Sequence, residues 1–335
     1  MRWLSLWGVG LLAWVSCRAA DPFSFPTANR FLLEPGGESK FFVGTVGKPW
    51  TSGEFGCVRS GGAQFHEGLD IRCLQRDSKG EPMDPVLASA AGTVAYLNAR
   101  PSLSNYGNYL VLRHSIEGIE VYTLYAHLSS LRKGLKVGDK VAAGERVATL
   151  GRTANTQQGI SKDRAHLHFE INLVVNDRYA AWHNVRLKGM RNDHGNFNGR
   201  NLLGLDPEAI FREQARLGAQ FRLVNYLRSQ PVLATVTVRG AKLLWARRYP
   251  QLVEPNPVAD REGVAGYELR LAFNGLPVRV IPRAARELPG AGKTRLLEVN
   301  AAEYARRPCG KLVFKRGQVW TLLPRAEDLL DLLTY

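Results

Sequence analysis

Seven histidines occur among 335 residues, and four of them fall in three short clusters: FHEGLD with His66 and Asp70, LYAHLSS with His127, and AHLHFE with His166 and His168. Imidazole nitrogen and carboxylate oxygen are ordinary ligands of a catalytic zinc, which keeps three protein ligands and leaves one position for water. The inventory suits a His-His-Asp site. His166 and His168 alternate with apolar Leu167 and Phe169, so a strand puts both imidazoles on one face about 7 Å apart. One can ligate while the other serves the substrate. His66 and Asp70 would stand about 13 Å apart in a flat strand, too far to share an ion, so the chain must bend between them. Gly68 offers the bend. A helix would also bring positions i and i+4 together, but Gly68 and its turn-forming neighbours disfavour it.

These residues need a β-rich scaffold. From about Gly44 to Val175 the chain reads as short strands between turns: PVLASA, GTVAYL, NYLVLRH, EVYTLYAHL and AHLHFEINLVV, with Gly and Asn between them. KVGDKVAAGERVATLG adds two short apolar runs, as at the corners of a compact antiparallel sheet. KGMRNDHGNFNGRNLLGLD, residues 188–206, has no periodicity and reads as an ordered or functional loop. Asp206 and Pro207 then supply an N-cap and a first helical residue for a segment to about Ala219. Strand patterns return in ATVTVR, YELRLAF, PVRVIP and the hairpin-like KLVFKRGQVWTLL, and residues 325–333 close the chain as a helix. The expected layout is a leader at 1–20, an N-terminal extension at 21–43, a site-bearing domain at 44–185, a loop and helical connector at 186–220, and a smaller β-rich domain at 221–335.

Arg2 ahead of an apolar run from Trp3 to Val15, then small residues, is the pattern of a secretory signal peptide. The run is too short to span a bilayer comfortably. A lipid anchor on Cys17 is the competing reading, against which Trp14 stands where lipoprotein leaders carry Leu. Export leaves Cys57, Cys73 and Cys309, with Cys57 and Cys73 flanking His66 as the natural pair or as buried thiols. The net charge of +15 and pI near 9.9 favour an anionic partner. Basic residues are scattered, and no nucleic-acid motif is present. With an export leader in front, an anionic cell envelope is the better reading than nucleic acid.

From about Phe55 to Glu170 the sequence resembles the lysostaphin-like and LytM-like zinc endopeptidases of peptidoglycan, metallopeptidase family twenty-three. The resemblance runs in order through HEGLDI, PVLASAAGTV, NYGNYLVLRH, YTLYAHLSS, VGDKVAAGERVATLG and HLHFE. It implies a mainly β, antiparallel, barrel-like peptidase domain, with zinc held by His66, Asp70 and His168. It also places His127 and His166 beside the attacking water and the scissile carbonyl, and gives peptidoglycan as the partner. Two alternatives accompany it: a catalytically silent wall-binding activator, which typically lacks one or more of these five residues, and a zinc peptidase acting on Gly-rich proteins. The sequence departs from the family in two places. No tyrosine precedes His66, the first being Tyr96, and QQGISKDRA lengthens the loop before His166. His114, His183 and His194 are read as structural, His194 with some prospect of bordering the cleft.

Overall fold

The computed structural model describes residues 22–156 and 159–335; the leader at 1–20 lies outside them. In chain order the first elements are α1 (Glu38–Phe41), β1 (Gly56–Arg59), β2 (Gln64–His66), β3 (Leu69–Arg72), β4 (Pro85–Leu87), β5 (Gly92–Asn98), β6 (Asn108–Ile116) and β7 (Ile119–Leu128). Then come β8 (Ser130–Leu131), β9 (Lys140–Val141), β10 (Arg146–Thr149), β11 (His166–Val174), α2 (Tyr179–Arg186), β12 (Leu202–Leu205) and α3 (Pro207–Leu217). The chain is mainly β, and its strand pairings are antiparallel.

The site-bearing sheet has the order β12-β11-β7-β6-β5-β9, and β3 also pairs with β11. β11 is therefore central. It pairs with β7 from His168 to Asn172, with β3 from His166 to Phe169, and with β12 from Ile171 to Val174. All nine of its residues are buried, which explains HLHFEINLV: a strand covered on both faces reads as nearly continuous apolar sequence, broken where polar groups have internal partners. β4, β10 and β8 form a small sheet beside it. The N-terminal segment is woven in, since Phe42 bridges Ile71 and the Val43 amide donates to the Asp70 carbonyl at 2.9 Å.

Asp206 caps α3, its carboxylate accepting from the Ala209 amide at 3.1 Å. Beyond α3 lie α4 (Leu223–Ser229), β13 (Ala234–Arg239), α5 (Leu244–Arg248), α6 (Pro257–Glu262), β14 (Gly266–Leu271), β15 (Pro277–Arg283), β16 (Thr294–Val299), α7 (Ala301–Arg306), β17 (Val313–Arg316), β18 (Val319–Leu322) and α8 (Pro324–Leu333). A four-stranded sheet in the order β15-β14-β13-β16 and the β17–β18 hairpin organise this part. β16 and the short helices α4 to α7 are additions to the elements read from sequence. The core is shared: one buried cluster extends from Phe23 through Phe169 to Val280 and Leu333. Polar ties cross it too, the Asn274 amide donating to Gly204 O at 2.7 Å and the Asn176 amide to Leu332 O at 2.7 Å.

The cysteines pair differently from the sequence expectation. Cys57 of β1 is bonded to Cys309, with Cα atoms 5.3 Å apart. Cys73 is a buried thiol whose Sγ lies 2.9 Å from Asp84 Oδ2 and 3.0 Å from Gln75 O. Burial, reinforced by Asp84, pushes that thiol up to about 12. The pairing of Cys57 with Cys73 fails because nearness in sequence is not nearness in space: Cys73 is held among polar partners of its own, while the chain returns Cys309 to β1 from 252 residues away.

Candidate metal centre

β2 ends on His66 and β3 begins at Leu69, so the chain breaks between them as the shared site requires. Gly68 sits in that break against β11; a Cβ there would fall 2.2 Å from Phe169 O. The antiparallel register then places Asp70 opposite His168. Nδ1 of His168 lies 3.1 Å from His66 Nε2 and 3.1 Å from Asp70 Oδ1, and His66 Nε2 lies 3.2 Å from the same carboxylate oxygen. Three donor atoms, all from buried residues, form a nearly equilateral triangle. Tetrahedral coordination with bonds of roughly 2.0–2.1 Å implies ligand edges of about 3.3 Å. The donor set and its spacing fit a zinc ion.

Each donor is oriented by a partner behind it. The Glu54 carbonyl lies 2.7 Å from His66 Nδ1, so that nitrogen carries the proton and Nε2 presents its lone pair. Glu170 Oε1 does the same at His168 Nε2, at 2.8 Å, and the other carboxylate oxygen, Oε2, accepts from the Asn172 amide at 2.9 Å. Arg59 donates to Asp70 Oδ2 at 2.6 Å, which leaves Oδ1 as the oxygen facing the imidazoles. Such partners fix ring orientation and ligand basicity. Burial pushes the Asp70 carboxyl up, but the surrounding imidazoles of His66, His166 and His168 outweigh it and hold it well below the usual range. The His168 pKa moves the opposite way from what burial alone would give, because Asp70 and Glu170 both favour the protonated ring.

His166 and His127 stand beside the triangle. His166 Nδ1 lies 2.7 Å from the Arg164 carbonyl, leaving Nε2 3.5 Å from Asp70 Oδ1. His127 Nδ1 lies 2.9 Å from the Thr153 carbonyl. A carbonyl only accepts, so in both rings Nδ1 bears the hydrogen and Nε2 is free to take one. Burial lowers both pKa values, that of His127 well below the ordinary value, with the neighbouring imidazoles adding to the effect at His127. The two rings are 4.9 Å apart between centroids, and His127 holds a positive φ of 61° at the end of β7. Strain of that kind is common at functional positions.

Sequence reasoning missed Arg59, Tyr106 and the orienting role of Glu170. The alternation that puts His166 and His168 on one face also puts Glu170 and Asn172 there, so Glu170 had a readable pattern. Tyr106 comes from the NYGNY turn; its carbonyl accepts from the His127 amide at 2.9 Å, and its ring centre lies 5.9 Å from that of His168. Burial, with Glu170 and Glu67 close by, raises its pKa well above the usual phenol value, so it is a neutral donor. Arg59 arrives from β1 with no sequence cue. Arg59 and Tyr106 line a cleft of about 1040 Å³ together with Thr45, Asn155 and Arg164.

Residues 64–180 match the model of Peptidase family M23. This stretch is an M23 peptidase domain. All five histidine and aspartate positions discussed above lie inside it. No curated protein matches the chain. Among solved structures, a zinc-containing peptidase from Vibrio cholerae is 29% identical over 32% of this chain and 26% of its own, with a TM-score of 0.24. The catalytic domain of the antimicrobial peptidase lysostaphin from Staphylococcus simulans is 22% identical over 48% of this chain and 87% of its own, with a TM-score of 0.29. The longer lysostaphin structure is 17% identical over 67% of this chain and 71% of its own, with a TM-score of 0.34. The chain thus spans about a quarter of the Vibrio protein. No helix among the described residues is long and apolar enough to cross a membrane.

Proposed function

We propose that the protein is an exported zinc endopeptidase hydrolysing peptide bonds in peptidoglycan stem peptides or cross-bridges. In this reading His66, Asp70 and His168 are the metal ligands, His127 and His166 the proton-handling groups, and 44–185 the peptidase domain. The remainder of the chain packs against that domain. The observation that carries the reading is the buried triangle of donor atoms inside the M23 domain, with two neutral imidazoles presenting free Nε2 atoms next to it.

Zinc at such a triangle supplies a Lewis acid and lowers the pKa of water toward about 7. The protein does the rest. Thr153 and Arg164 carbonyls fix the rings of His127 and His166 so that Nε2 can take the proton of the attacking water and return it to the leaving amine. Tyr106 lines the same cleft as a neutral phenol and is the group we assign as donor to the oxyanion that develops on the scissile carbonyl, in exchange for its bond to Glu170. Glu170 and Arg59 hold His168 and Asp70 against rotation as the substrate binds. The +15 charge supports an anionic wall as the surface on which the enzyme works.

The test is metal content together with digestion of purified sacculi. One equivalent of zinc and release of muropeptides cut at a peptide bond are expected. A protein that takes up no zinc, or that takes it up and cuts no wall preparation, refutes the reading.

A further inference from the structure

Near the end of the chain, β17 and β18 form a hairpin with two unlike faces. Phe314 stands opposite Thr321, Lys315 opposite Trp320 and Arg316 opposite Val319, with Gly317 at a φ of 61° in the two-residue turn. Cross-strand partners project together, and neighbours along a strand alternate. Val313, Lys315, Trp320 and Leu322 therefore share one face, and Phe314, Arg316, Val319 and Thr321 the other. The first face is occupied: Val313 is buried in a cluster with Leu312 and Ala326, and the Trp320 ring meets Tyr304 at 4.9 Å between centroids. The second face is open, with Phe314 48% and Val319 64% exposed. Among the described residues, Phe314 is the one exposed aromatic side chain. The hairpin is firmly rooted, since Cys309 just before it is bonded to Cys57 and the Leu323 amide donates to Leu312 O at 2.8 Å.

The charge along this segment has one sign. From Tyr304 to Ala326 the chain has no Asp or Glu, but it has Arg306, Arg307, Lys311, Lys315, Arg316 and Arg325. Arg306 and Arg307 reach Glu303 at 3.6 and 3.9 Å, whereas among the described residues Lys311, Lys315 and Arg316 close no ion pair. Lys315 Nζ lies 5.6 Å from the centre of the Trp320 ring, where the cation meets a π-face and stays free to meet an anion. An exposed Phe and Val beside unpaired cations fit a partner that is anionic at its surface and apolar just beneath. A polyanionic polymer would match the cations and leave both apolar side chains in water. A bilayer containing acidic lipids matches both, taking Phe and Val at the acyl boundary and Lys and Arg at the headgroups. Trp320, half-buried between the two, suits the boundary itself.

We propose that the open face of the β17–β18 hairpin docks the protein on an anionic lipid bilayer, Phe314 and Val319 entering the headgroup–acyl boundary while Lys311, Lys315 and Arg316 contact lipid phosphates. Two apolar side chains and three cations give reversible, peripheral binding rather than insertion. The contact needs neither zinc nor a scissile bond, so it goes beyond the peptidase reading and stands apart from it. Taken with that reading, docking confines cleavage to the layer of wall nearest the membrane.

Flotation of the full chain with vesicles of phosphatidylglycerol and phosphatidylethanolamine, and with vesicles of phosphatidylcholine alone, tests this as partition coefficients. Stronger partitioning into the acidic vesicles, weakened by salt, is expected. Phe314→Ser with Val319→Ser should lower it roughly tenfold, and Lys315→Gln with Arg316→Gln roughly 25-fold, at about fivefold for each cation. Val137→Ser with Lys136→Gln, a pair that is also exposed and lies elsewhere, should leave it unchanged. Every protein keeps the same N-terminus, so ratios between them read the hairpin and not residues 1–20, and the melting temperature of each variant shows that it is folded. Equal partitioning across the series, or a loss as large in the Val137 and Lys136 pair, overturns the docking face. So does a loss confined to the cation variant with binding to purified sacculi falling in step, which assigns the hairpin to a wall polyanion. Digestion of sacculi in parallel keeps the two readings apart: cutting without docking refutes the hairpin alone, and docking without cutting refutes the peptidase alone.

Discussion

Removing the Cys57–Cys309 bond should cost more stability than any single side chain of the core. The bridge closes a loop with a sequence separation of 252, and restricting an unfolded chain over that length is worth about 5.5 kcal/mol in the chain-entropy description. At roughly 2.1 cal/mol/K of unfolding entropy per residue, that converts to a melting shift of about 8 °C for a chain of 335 residues. Calorimetry of Cys309→Ala, and of wild type in excess dithiothreitol, should both show it, and non-reducing peptide mapping should recover the Cys57–Cys309 peptide. The bond also anchors β1, which supplies Arg59 two residues later, so zinc affinity should fall a few-fold with the melting point. A melting temperature unchanged within about 2 °C on both routes, or a map joining Cys57 to Cys73, would refute the reasoning.

His168→Ala should lose zinc and activity together, whereas His166→Ala should keep zinc and lower turnover by roughly 10²-fold or more, as metal analysis beside a muropeptide assay would tell; an empty site in His166→Ala with a full one in His168→Ala reverses the assignment. Arg59→Ala frees Asp70 Oδ2 and should weaken zinc binding about 10- to 100-fold in competition with a chelating dye. His114, held between Ala91 O at 2.9 Å and Thr123 Oγ1 at 2.7 Å, is pushed by burial down to about 4. The unfolded chain therefore binds the proton first, and the stability this ring contributes is complete above about 6.5 and lost as pH falls toward 4, on the order of 3 kcal/mol; urea midpoints across that range should fall more steeply for wild type than for His114→Gln. Gly68→Ala forces a Cβ against Phe169 O and should yield little folded protein, an outcome checked by circular dichroism and soluble yield.

The parts of the site that could be read in advance are those where chemistry and periodicity coincide. His66, Asp70, His127, His166 and His168 sit in short motifs whose ligand types carry meaning, and HLHF alternates as a strand must. Gly68 was legible for the same reason, since two proposed ligands four residues apart demand a break. Arg59, Tyr106 and Cys309 were not, because each reaches the site or its hairpin through long-range closure, and no local pattern encodes which distant turn returns. β16 was missed for a different cause: TRLLEV alternates between half-buried and exposed positions, leaving too little apolar contrast to mark a strand. The mainly β, antiparallel architecture was readable because turn residues bound nearly every apolar run of the M23 domain.

The ladder between β3 and β11 holds two acceptable answers to one question. His166 and His168 project on the same face, so sliding β11 by two residues past β3 would set His166 opposite Asp70 in place of His168. Side-chain facing alone cannot reject that mispairing. The correct frame is imposed by strands that hold no ligand: β7 keeps Ala126 opposite His168, and β12 grips Ile171 to Val174 from the other side. Only in that frame does Glu170 stand behind the ring we propose as a ligand. The neighbouring strands thus act as a proofreading frame for the proposed metal centre, and an insertion in β12, far from any of its residues, would be a frameshift in space that leaves every residue of the motif present and the centre misread.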